Sequence, residues 1–381
     1  MGLDTSKDIN PNAARGYILE KFTRHKGGVN CMIMQKDKYL MATGGEDKCV
    51  VLWRINTTPT QSKATMKGHT DYISCLAFHN KYILSGSNDY TVRKWCMSSY
   101  DCLYVYEGHK ERVNRLVVAG DFMFSSSIDH TVKAWTLNTH QYSAVNDTCL
   151  KTFEGHSKAV YPLVFIPDDN NPLDGKTILE RDILISGSSD KTIRIWSFHI
   201  GKSLHVLKGH KGTVNTLVVD PEGKLLFSGG GEGTIICWNI STGDCVRQMT
   251  GHESAVLSMI GHNKMLYSCS TDKTARAWIM EFGECIKIYR DHTHSVTCIK
   301  YLDGYIYTGC ADTYSRMFKA KTGECKRVFK GHTKAVVQVE VVYDKLYTVS
   351  VDGTLRVWDT TGILDEDISS DEVALEIPPS P

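Results

Sequence analysis

The chain has 381 residues, and its 44 Lys and Arg against 43 Asp and Glu leave a net charge near +1. A balance so even argues against a nucleic-acid-binding protein, and 41% hydrophobic with 23% charged residues is typical of a globular chain rather than a disordered one. No apolar stretch approaches the roughly 18 residues of a membrane-spanning helix, and 13 scattered Cys without a C-x-x-C motif predict reduced thiols in the cytoplasm or the nucleus.

Residues 1–16 are predicted to be a flexible leader. Gly2 and Ser6 have the spacing of an N-myristoylation signal, although the same sequence would also suit a leader without modification. Only Lys7 and Arg15 are basic nearby, and one acyl chain without a polybasic partner binds a membrane only weakly. At most a weak membrane association through Gly2 is therefore expected.

Eight copies of one five-residue pattern run from His25 to Trp358. Each copy has a His, a β-branched residue four positions later, a Ser or Thr, an acid four positions after that hydroxyl, and an aromatic residue six positions after the acid. The His residues are His25, His69, His109, His156, His210, His252, His292 and His332. The acids are Asp47, Asp89, Asp129, Asp190, Glu232, Asp272, Asp312 and Asp352. The aromatic residues are Trp53, Trp95, Trp135, Trp196, Trp238, Trp278, Phe318 and Trp358. Such spacing indicates a repeat protein with a period of about forty residues.

Hydrophobic periodicity predicts four short strands in each repeat. Segments such as VNTLVVD, LLFSGG and TIICWNI alternate between the His and the aromatic residue, and a fourth, such as CVRQMT, precedes the next His. Eight four-stranded units predict an all-β, eight-bladed propeller over residues 17–361. A seven-bladed ring with one repeat outside it is the alternative.

These residues resemble the WD-repeat family. The runs GHTDYISCLAF and GHTKAVVQVEV open two of the repeats with Gly-His, and the last repeat ends on the pair Trp358-Asp359. The resemblance covers residues 17–361 and implies a WD40 β-propeller with four antiparallel strands per blade. Because the last repeat has no fourth strand after Trp358, residues 17–22 (YILEKF) are expected to complete its sheet and close the ring.

A hydroxyl, a His and an acid in every repeat could suggest a hydrolase, but a catalytic site occurs once in a chain and not eight times. The resemblance instead implies a buried hydrogen-bond chain in each blade, from Trp through Ser or Thr and His to the acid. This structural tetrad would comprise Trp95, Ser85, His69 and Asp89 in the second repeat, and Trp358, Thr348, His332 and Asp352 in the eighth. No catalytic residue, metal site or cofactor is predicted.

Two repeats depart from this pattern. Phe318 has no N–H to donate to Thr308. Glu232 is one methylene longer than Asp, lies in the Gly-rich run GGGEG, and is expected to fall short of His210. Blades five and seven are therefore expected to be looser than the others.

If the repeated residues build the scaffold, function must depend on the residues that vary between repeats. The resemblance implies that partners bind the narrow top face, at the positions three and five residues after the His and one before the acid. The larger or charged residues there are Asn30, Glu46, Tyr72, Asn88, Arg112, Asn114, Ile128, Tyr161, Asn215 and Leu257. Tyr72, Arg112, Ile128 and Tyr161 would cluster on blades two to four, either as interface anchors or as caps of the channel mouth.

Two further segments stand apart from the repeats. Residues 166–182 lengthen the fourth repeat and are expected to form a protruding loop, either for recognition or through neutral drift. Residues 362–381 carry six acids and no Lys or Arg, which predicts a disordered tail.

The sequence therefore predicts a monomeric, non-catalytic scaffold that binds protein or peptide partners on its top face, with no nucleic acid expected. The alternative is the substrate-recognition subunit of a ubiquitin ligase, and no Trp is followed by the Asp-x-Arg that family members use for an adaptor. An enzyme with a site in the channel is the third hypothesis. The predicted top-face positions hold only one Glu and one Arg, which is little for catalysis.

Overall fold

The computed structural model describes residues 18–138, 148–167 and 182–361. The predicted leader with Gly2, most of the predicted insertion at 166–182 and the predicted acidic tail at 362–381 lie outside these residues. The described chain forms 32 β-strands and one 3₁₀ turn, Lys36–Lys38. None of its helical segments is long and apolar enough to cross a bilayer.

The first four blades follow one another in chain order. Blade one contains β2 (Val29–Gln35), β3 (Leu40–Gly45), β4 (Cys49–Arg54) and β5 (Gln61–Lys67). Blade two contains β6 (Ile73–His79), β7 (Tyr82–Ser87), β8 (Val92–Cys96) and β9 (Cys102–Tyr106). Blade three contains β10 (Val113–Ala119), β11 (Phe122–Ser127), β12 (Val132–Thr136) and β13 (Cys149–Phe153). Blade four contains β14 (Val160–Ile166), β15 (Ile183–Ser188), β16 (Thr192–Ser197) and β17 (Ser203–Lys208).

The last four blades repeat this arrangement. Blade five contains β18 (Val214–Val219), β19 (Leu225–Gly230), β20 (Ile235–Asn239) and β21 (Cys245–Met249). Blade six contains β22 (Val256–His262), β23 (Met265–Ser270), β24 (Ala275–Ile279) and β25 (Cys285–Tyr289). Blade seven contains β26 (Val296–Leu302), β27 (Tyr305–Cys310), β28 (Ser315–Lys319) and β29 (Cys325–Phe329). Blade eight contains β30 (Val336–Val342), β31 (Lys345–Ser350), β32 (Leu355–Asp359) and β1 (Ile18–Phe22).

The prediction of an eight-bladed propeller is confirmed, and the seven-bladed alternative is wrong. Each of the eight sheets has four antiparallel strands, and the first strands of neighbouring blades contact one another in a cycle that β30 and β2 complete. The predicted closure by the N-terminal strand is also confirmed. Ile18 lies opposite Trp358 and Phe22 opposite Leu355, so β1 covers the edge that β32 would otherwise expose.

The hydrophobic core is divided among the eight seams between neighbouring blades. At the seam between blades one and eight, Trp53 packs with Val349 and Val357. Seven further clusters each join two consecutive blades in the same way. All seven Trp side chains are at most 2% exposed, so every sheet is stabilised by burial against its neighbours and no blade has a core of its own.

The pattern of buried and exposed residues differs between the strands of one blade because the strands lie at different distances from the neighbouring sheets. The second strand is covered on both faces by the neighbouring sheets, as in β7, where five of the six residues are buried. The outermost strand lies at the rim, and in β5 exposed residues alternate with half-buried ones and with the buried Met66. The turns before three outermost strands carry Gly243, Gly283 and Gly323 with φ between 77° and 79°, a conformation that glycine adopts without steric cost.

Candidate functional site

The structure places the repeated polar residues in a continuous hydrogen-bond chain. In blade two, the Trp95 indole Nε1–H donates to Ser85 Oγ at 2.8 Å, Ser85 Oγ lies 2.8 Å from His69 Nε2, and His69 Nδ1 lies 2.7 Å from Asp89 Oδ2. All four side chains sit between the strands of one sheet, where each polar atom needs a partner because water is excluded.

Blade eight has the same arrangement. The Trp358 indole donates to Thr348 Oγ1 at 2.8 Å, His332 Nε2 lies 2.7 Å from that oxygen, and His332 Nδ1 lies 2.9 Å from Asp352. The four-membered chain is complete in seven of the eight blades, with blade seven the exception. The geometry repeats with the fold, as a structural element does and a catalytic site does not.

The ionisation of the acid determines the direction of these hydrogen bonds. Burial alone would raise the pKa of Asp89, but the hydrogen bond and charge of His69 and the donors Thr91 and Thr70 N–H hold it well below its usual range. An ionised carboxylate only accepts hydrogen bonds, so Nδ1 of His69 donates to Asp89. Ser85 is fully buried, and its oxygen accepts a hydrogen bond from Trp95, so this hydroxyl is part of the scaffold and is not exposed to a substrate.

Sequence reasoning missed a fifth member of this network. Thr91 Oγ1 donates to Asp89 Oδ1 at 2.7 Å, and the backbone N–H of Thr91 donates to the same oxygen at 3.0 Å. A Thr two residues after the acid recurs in the sequence and could have revealed it. The hydroxyl makes the same bond at Thr131, Thr192, Thr274 and Thr354.

The prediction that Glu232 would fall short of His210 is wrong. Glu232 Oε1 lies 2.6 Å from His210 Nδ1, and Oε2 accepts the N–H of Gly212 at 2.9 Å. In blade two, Asp89 accepts a hydrogen bond from the backbone N–H of Thr70, the residue directly after the His. The longer Glu232 accepts one from the residue after that, Gly212. Gly230 makes room for it, because a Cβ there would lie 2.4 Å from both Glu232 Oε2 and His210 Nδ1. Blade five therefore has a complete chain of hydrogen bonds from Trp to the acid.

Blade seven does lack part of this hydrogen-bond chain, as the sequence predicted. Phe318 offers no donor, so Thr308 Oγ1 keeps only His292 Nε2, at 2.8 Å. Asp312 pairs with Arg316 instead of the histidine, and His292 Nδ1 has no partner among the described residues. Burial lowers the pKa of His292 to about 4, with a further contribution from the charge of Arg316. Blade seven thus holds a buried, neutral His that makes one side-chain hydrogen bond.

The predicted top-face positions lie side by side in every blade. The backbone N–H of the residue before the acid donates to the carbonyl of the residue three after the His. Asn88 donates to Tyr72 at 2.9 Å, and Ile128 donates to Arg112 at 3.0 Å. We call this end of the ring the top face, and the end that carries the turns between first and second strands the bottom face.

Several predicted binding residues are used by the scaffold. Asn114 Nδ2 donates across the seam to the Val160 carbonyl at 2.8 Å, as Asn30 and Asn215 do at their own seams. Glu46 accepts the N–H of Gly28 at 2.9 Å. The amide of Asn114 therefore joins two blades, and the carboxylate of Glu46 joins two turns of blade one, neither of which sequence reasoning anticipated. Leu257, half-buried, makes no bond of this kind.

Tyr72, Arg112 and Tyr161 remain available to a partner, and we call them the tyrosine–arginine patch. Tyr72 is 44% exposed and Tyr161 is 38% exposed, and Arg112 is also exposed. Ser126 Oγ of blade three donates to the Tyr161 carbonyl at 2.9 Å, which fixes the backbone of Tyr161 against that blade. Asn88 and Ile128 are half-buried beside the patch. A rigid backbone that presents aromatic side chains suits recognition because little entropy is lost on binding.

A cavity of about 800 Å³ in the central channel is lined mainly by the first strands of blades one to three and six to eight. On its wall, Lys300 Nζ lies 2.8 Å from Glu340 Oε1, and Arg115 is a further charged lining residue. The side chain of Gln338 makes two hydrogen bonds to the backbone of Met32. Gln338 Oε1 accepts the Met32 N–H at 3.0 Å, and Gln338 Nε2 donates to the Met32 carbonyl at 2.6 Å. In residues 18–138, 148–167 and 182–361, no group of three His, Cys, Asp or Glu could hold a metal ion.

The chain matches the model of the family described as WD domain, G-beta repeat, eight times. The matched ranges are 16–54, 60–96, 100–136, 147–197, 201–239, 243–278, 283–319 and 323–359. The chain belongs to the WD-repeat family. All eight ranges end within one residue of the Trp or Phe of their repeat, and each range begins with the outermost strand of one blade and continues with the first three strands of the next.

Curated relatives share part of this repeat array. Mitochondrial division protein 1 of Candida glabrata is 23% identical over 204 residues, which cover 51% of this chain and 24% of that protein. The CCR4-associated factor 4 homolog of the same organism is 26% identical over 201 residues, 51% of this chain and 28% of that protein. The chain thus spans about a quarter of these relatives. The crystal structure of Saccharomyces cerevisiae Sqt1 has a TM-score of 0.79 at 16% identity, covers 90% of this chain and 99% of that one, and shows the fold alone.

Proposed function

We propose that this protein is a non-catalytic interaction scaffold that binds protein or peptide partners on its top face and helps to assemble a complex. The observation that carries the proposal is the tyrosine–arginine patch. The repeated polar residues bind one another, whereas Tyr72, Arg112 and Tyr161 are exposed on consecutive blades. Tyr and Arg are enriched among the residues that dominate protein interfaces, because they bury large area and offer hydrogen bonds.

The remaining features of the proposal follow from the composition. A net charge near +1 supports protein partners over nucleic acid, and 13 free thiols support the reducing cytoplasm or nucleus. The propeller is proposed to act as a monomer, because β1, the strand that completes its last blade, comes from the same chain. Substrate recognition in a ubiquitin ligase stays an alternative prediction, which no contact among the described residues favours.

A finer family assignment is also proposed. The layout of eight repeats between short terminal segments resembles WD repeat-containing protein 86. Membrane association, if any, would depend on acylation of Gly2 and would be weak. The mass of the mature N-terminus tests this point: a myristoyl group on Gly2 would support it, and a free or acetylated end would reject it.

Proximity labelling in cells tests the proposed function. The patch variant combines Tyr72→Ala, Arg112→Glu and Tyr161→Ala. The control combines Tyr343→Ala, Phe282→Ala and Lys264→Glu, exposed residues on the bottom face with the same change in side-chain types. We expect the patch variant to lose its specific neighbours and the control to keep them.

The test requires that both variants fold. Their circular dichroism and thermal unfolding should match those of the wild-type chain, because all the substituted side chains are exposed. A folded patch variant with an unchanged set of neighbours would contradict the proposal. Loss of the same neighbours from the bottom-face control would place the binding surface elsewhere.

A further inference from the structure

Two arginines of blade three lie on the same part of the channel wall. Arg112 precedes β10 on the top face, and Arg115, in β10, lines the channel and is exposed. The Arg112 carbonyl accepts the N–H of Ile128 at 3.0 Å on the top face, and Arg115 is the third residue of β10. Both arginines therefore belong to the top end of the same strand, three positions apart.

Neither guanidinium forms an ion pair or a side-chain hydrogen bond within the described chain. Three acids belong to the top-face loops of blades two and three. Asp71 Oδ1 accepts the N–H of Tyr72 at 2.7 Å, and Asp129 Oδ2 binds His109 Nδ1 at 2.7 Å. Glu111 is exposed and makes no ion pair with either arginine. Two positive charges thus face the channel mouth without a fixed counter-charge.

The acids of the facing blades are committed elsewhere. Glu46 of blade one accepts the N–H of Gly28, and Glu340 of blade eight pairs with Lys300 at 2.8 Å. Neither carboxylate forms an ion pair with Arg112 or Arg115. A ligand that brings its own negative charge would therefore gain charge-assisted hydrogen bonds that the free protein lacks.

We propose that Arg112 and Arg115 form an anion subsite that takes an Asp or Glu carboxylate from an acidic peptide segment of a partner protein. This inference rests on the proposed function and specifies the partner's chemistry. A guanidinium offers a planar fork of N–H donors that matches a carboxylate. Tyr72 on blade two and Tyr161 on blade four flank the arginine pair, so their rings cover the peptide on either side of the bound carboxylate. An extended segment that crosses blades two to four meets all four side chains.

The probe is a fluorescein-labelled peptide of twelve residues in which Asp and Glu alternate with Gly and Ser. Its control replaces each acid by Asn or Gln, and a third peptide carries phosphoserine in place of the acids. Fluorescence anisotropy with the full chain should show binding of the acidic peptide, little binding of the amide peptide, and weaker binding as salt screens the charges.

The variants are Arg112→Gln, Arg115→Gln and, as a control, Arg290→Gln, an exposed arginine on the opposite side of the ring. Each blade-three variant should weaken the acidic peptide about tenfold, as expected for a lost charge-assisted hydrogen bond, and the control should leave the affinity unchanged. Equal binding by both blade-three variants and the wild type would overturn the proposal.

Other occupants give different results. Binding of the phosphoserine peptide alone would overturn the carboxylate assignment. Binding of the acidic peptide only after deletion of residues 362–381 would identify the chain's own acidic segment as the occupant and overturn the assignment to a partner.

The failure of this inference is distinguishable from failure of the proposed function. In proximity labelling, Arg112→Gln with Arg115→Gln should remove the same neighbours as Tyr72→Ala with Tyr161→Ala. If only the tyrosine variant loses neighbours, the patch binds a partner that is not acidic, and the anion subsite is wrong. If neither loses them, the patch itself is misplaced.

Discussion

Asp312 Oδ2 lies 2.8 Å from Arg316 Nη2, in the blade where the acid leaves the histidine unpaired. Tyr314 stands where five other blades have the Thr that holds the acid beside its histidine. In this blade the carboxylate pairs with an arginine of the strand that follows it, β28. Both side chains of this ion pair are at most 5% exposed, so the pair substitutes one buried polar contact for another.

Two matched Thr→Ala variants test the energetic role of the tetrad. Thr348 in blade eight binds both Trp358 and His332, whereas Thr308 in blade seven binds only His292. Thr348→Ala leaves two buried groups without a partner and Thr308→Ala leaves one, so we expect Thr348→Ala to cost about 1–2 kcal/mol more unfolding free energy. Urea denaturation measures the difference. Equal losses would show that the indole hydrogen bond contributes nothing.

Acid should destabilise the chain in part through His292. Its pKa is about 4 in the folded state, mainly because of burial, and about 6.5 in an unfolded chain. As the pH falls below about 6.5, His292 becomes protonated in the unfolded chain, whereas in the folded chain it stays neutral until about pH 4. The free energy of unfolding therefore falls across this window, by about 3 kcal/mol for this group.

A His292→Gln variant isolates that contribution. Burial also lowers the pKa of His156 and His332, so both chains keep part of the pH dependence. The carboxyl pKa of Asp352 is held well below its usual range, and its contribution is lost only below about pH 4. We expect urea denaturation between pH 7 and pH 4 to show a smaller loss for the variant. The same slope in both chains would mean that His292 is protonated in the folded state.

The seam between the first and last blades should open first when Gln338 is replaced. Gln338→Leu removes both hydrogen bonds to the Met32 backbone and leaves the partly buried N–H and C=O of Met32 without their side-chain partners. A loss of about 2 kcal/mol would speed amide exchange about thirtyfold in β2. Thr297→Val, which breaks the bond from Thr297 to the Val336 carbonyl, is the control and should affect only the seam between blades seven and eight. Unchanged exchange in β2 would contradict this role for Gln338.

The sequence alone predicted the eight-bladed architecture because every repeat carries the same residue types at the same spacing. The spacing from His69 through Asp89 to Trp95 defines one sheet, and the strand at 17–22 without its own repeat identifies the closure at Trp358. These features depend on contacts within one repeat, or on simple counting of strands. They do not depend on how side chains from separate repeats meet.

The same reasoning failed where side chains choose between partners. Glu232 reaches His210 because Gly230 leaves space, which the length of the side chain alone could not show. Asn114 was expected to face a partner, but its amide binds the Val160 carbonyl of the next blade. Asp312 pairs with Arg316, four residues further along the chain, and leaves His292 Nδ1 without a partner among the described residues. In all three cases the choice between possible partners in the folded ring, rather than residue type, decided the contact.

Site-specific photo-cross-linking tests the central claim most directly. A benzophenone side chain at position 72 or 161 would occupy the tyrosine–arginine patch, and one at position 343 would occupy the bottom face as an exposed Tyr replacement. The account predicts that the proteins lost from the patch variant in proximity labelling are cross-linked from positions 72 and 161 and not from position 343. Cross-linking of those same proteins from position 343, with none from the two patch positions, would contradict it.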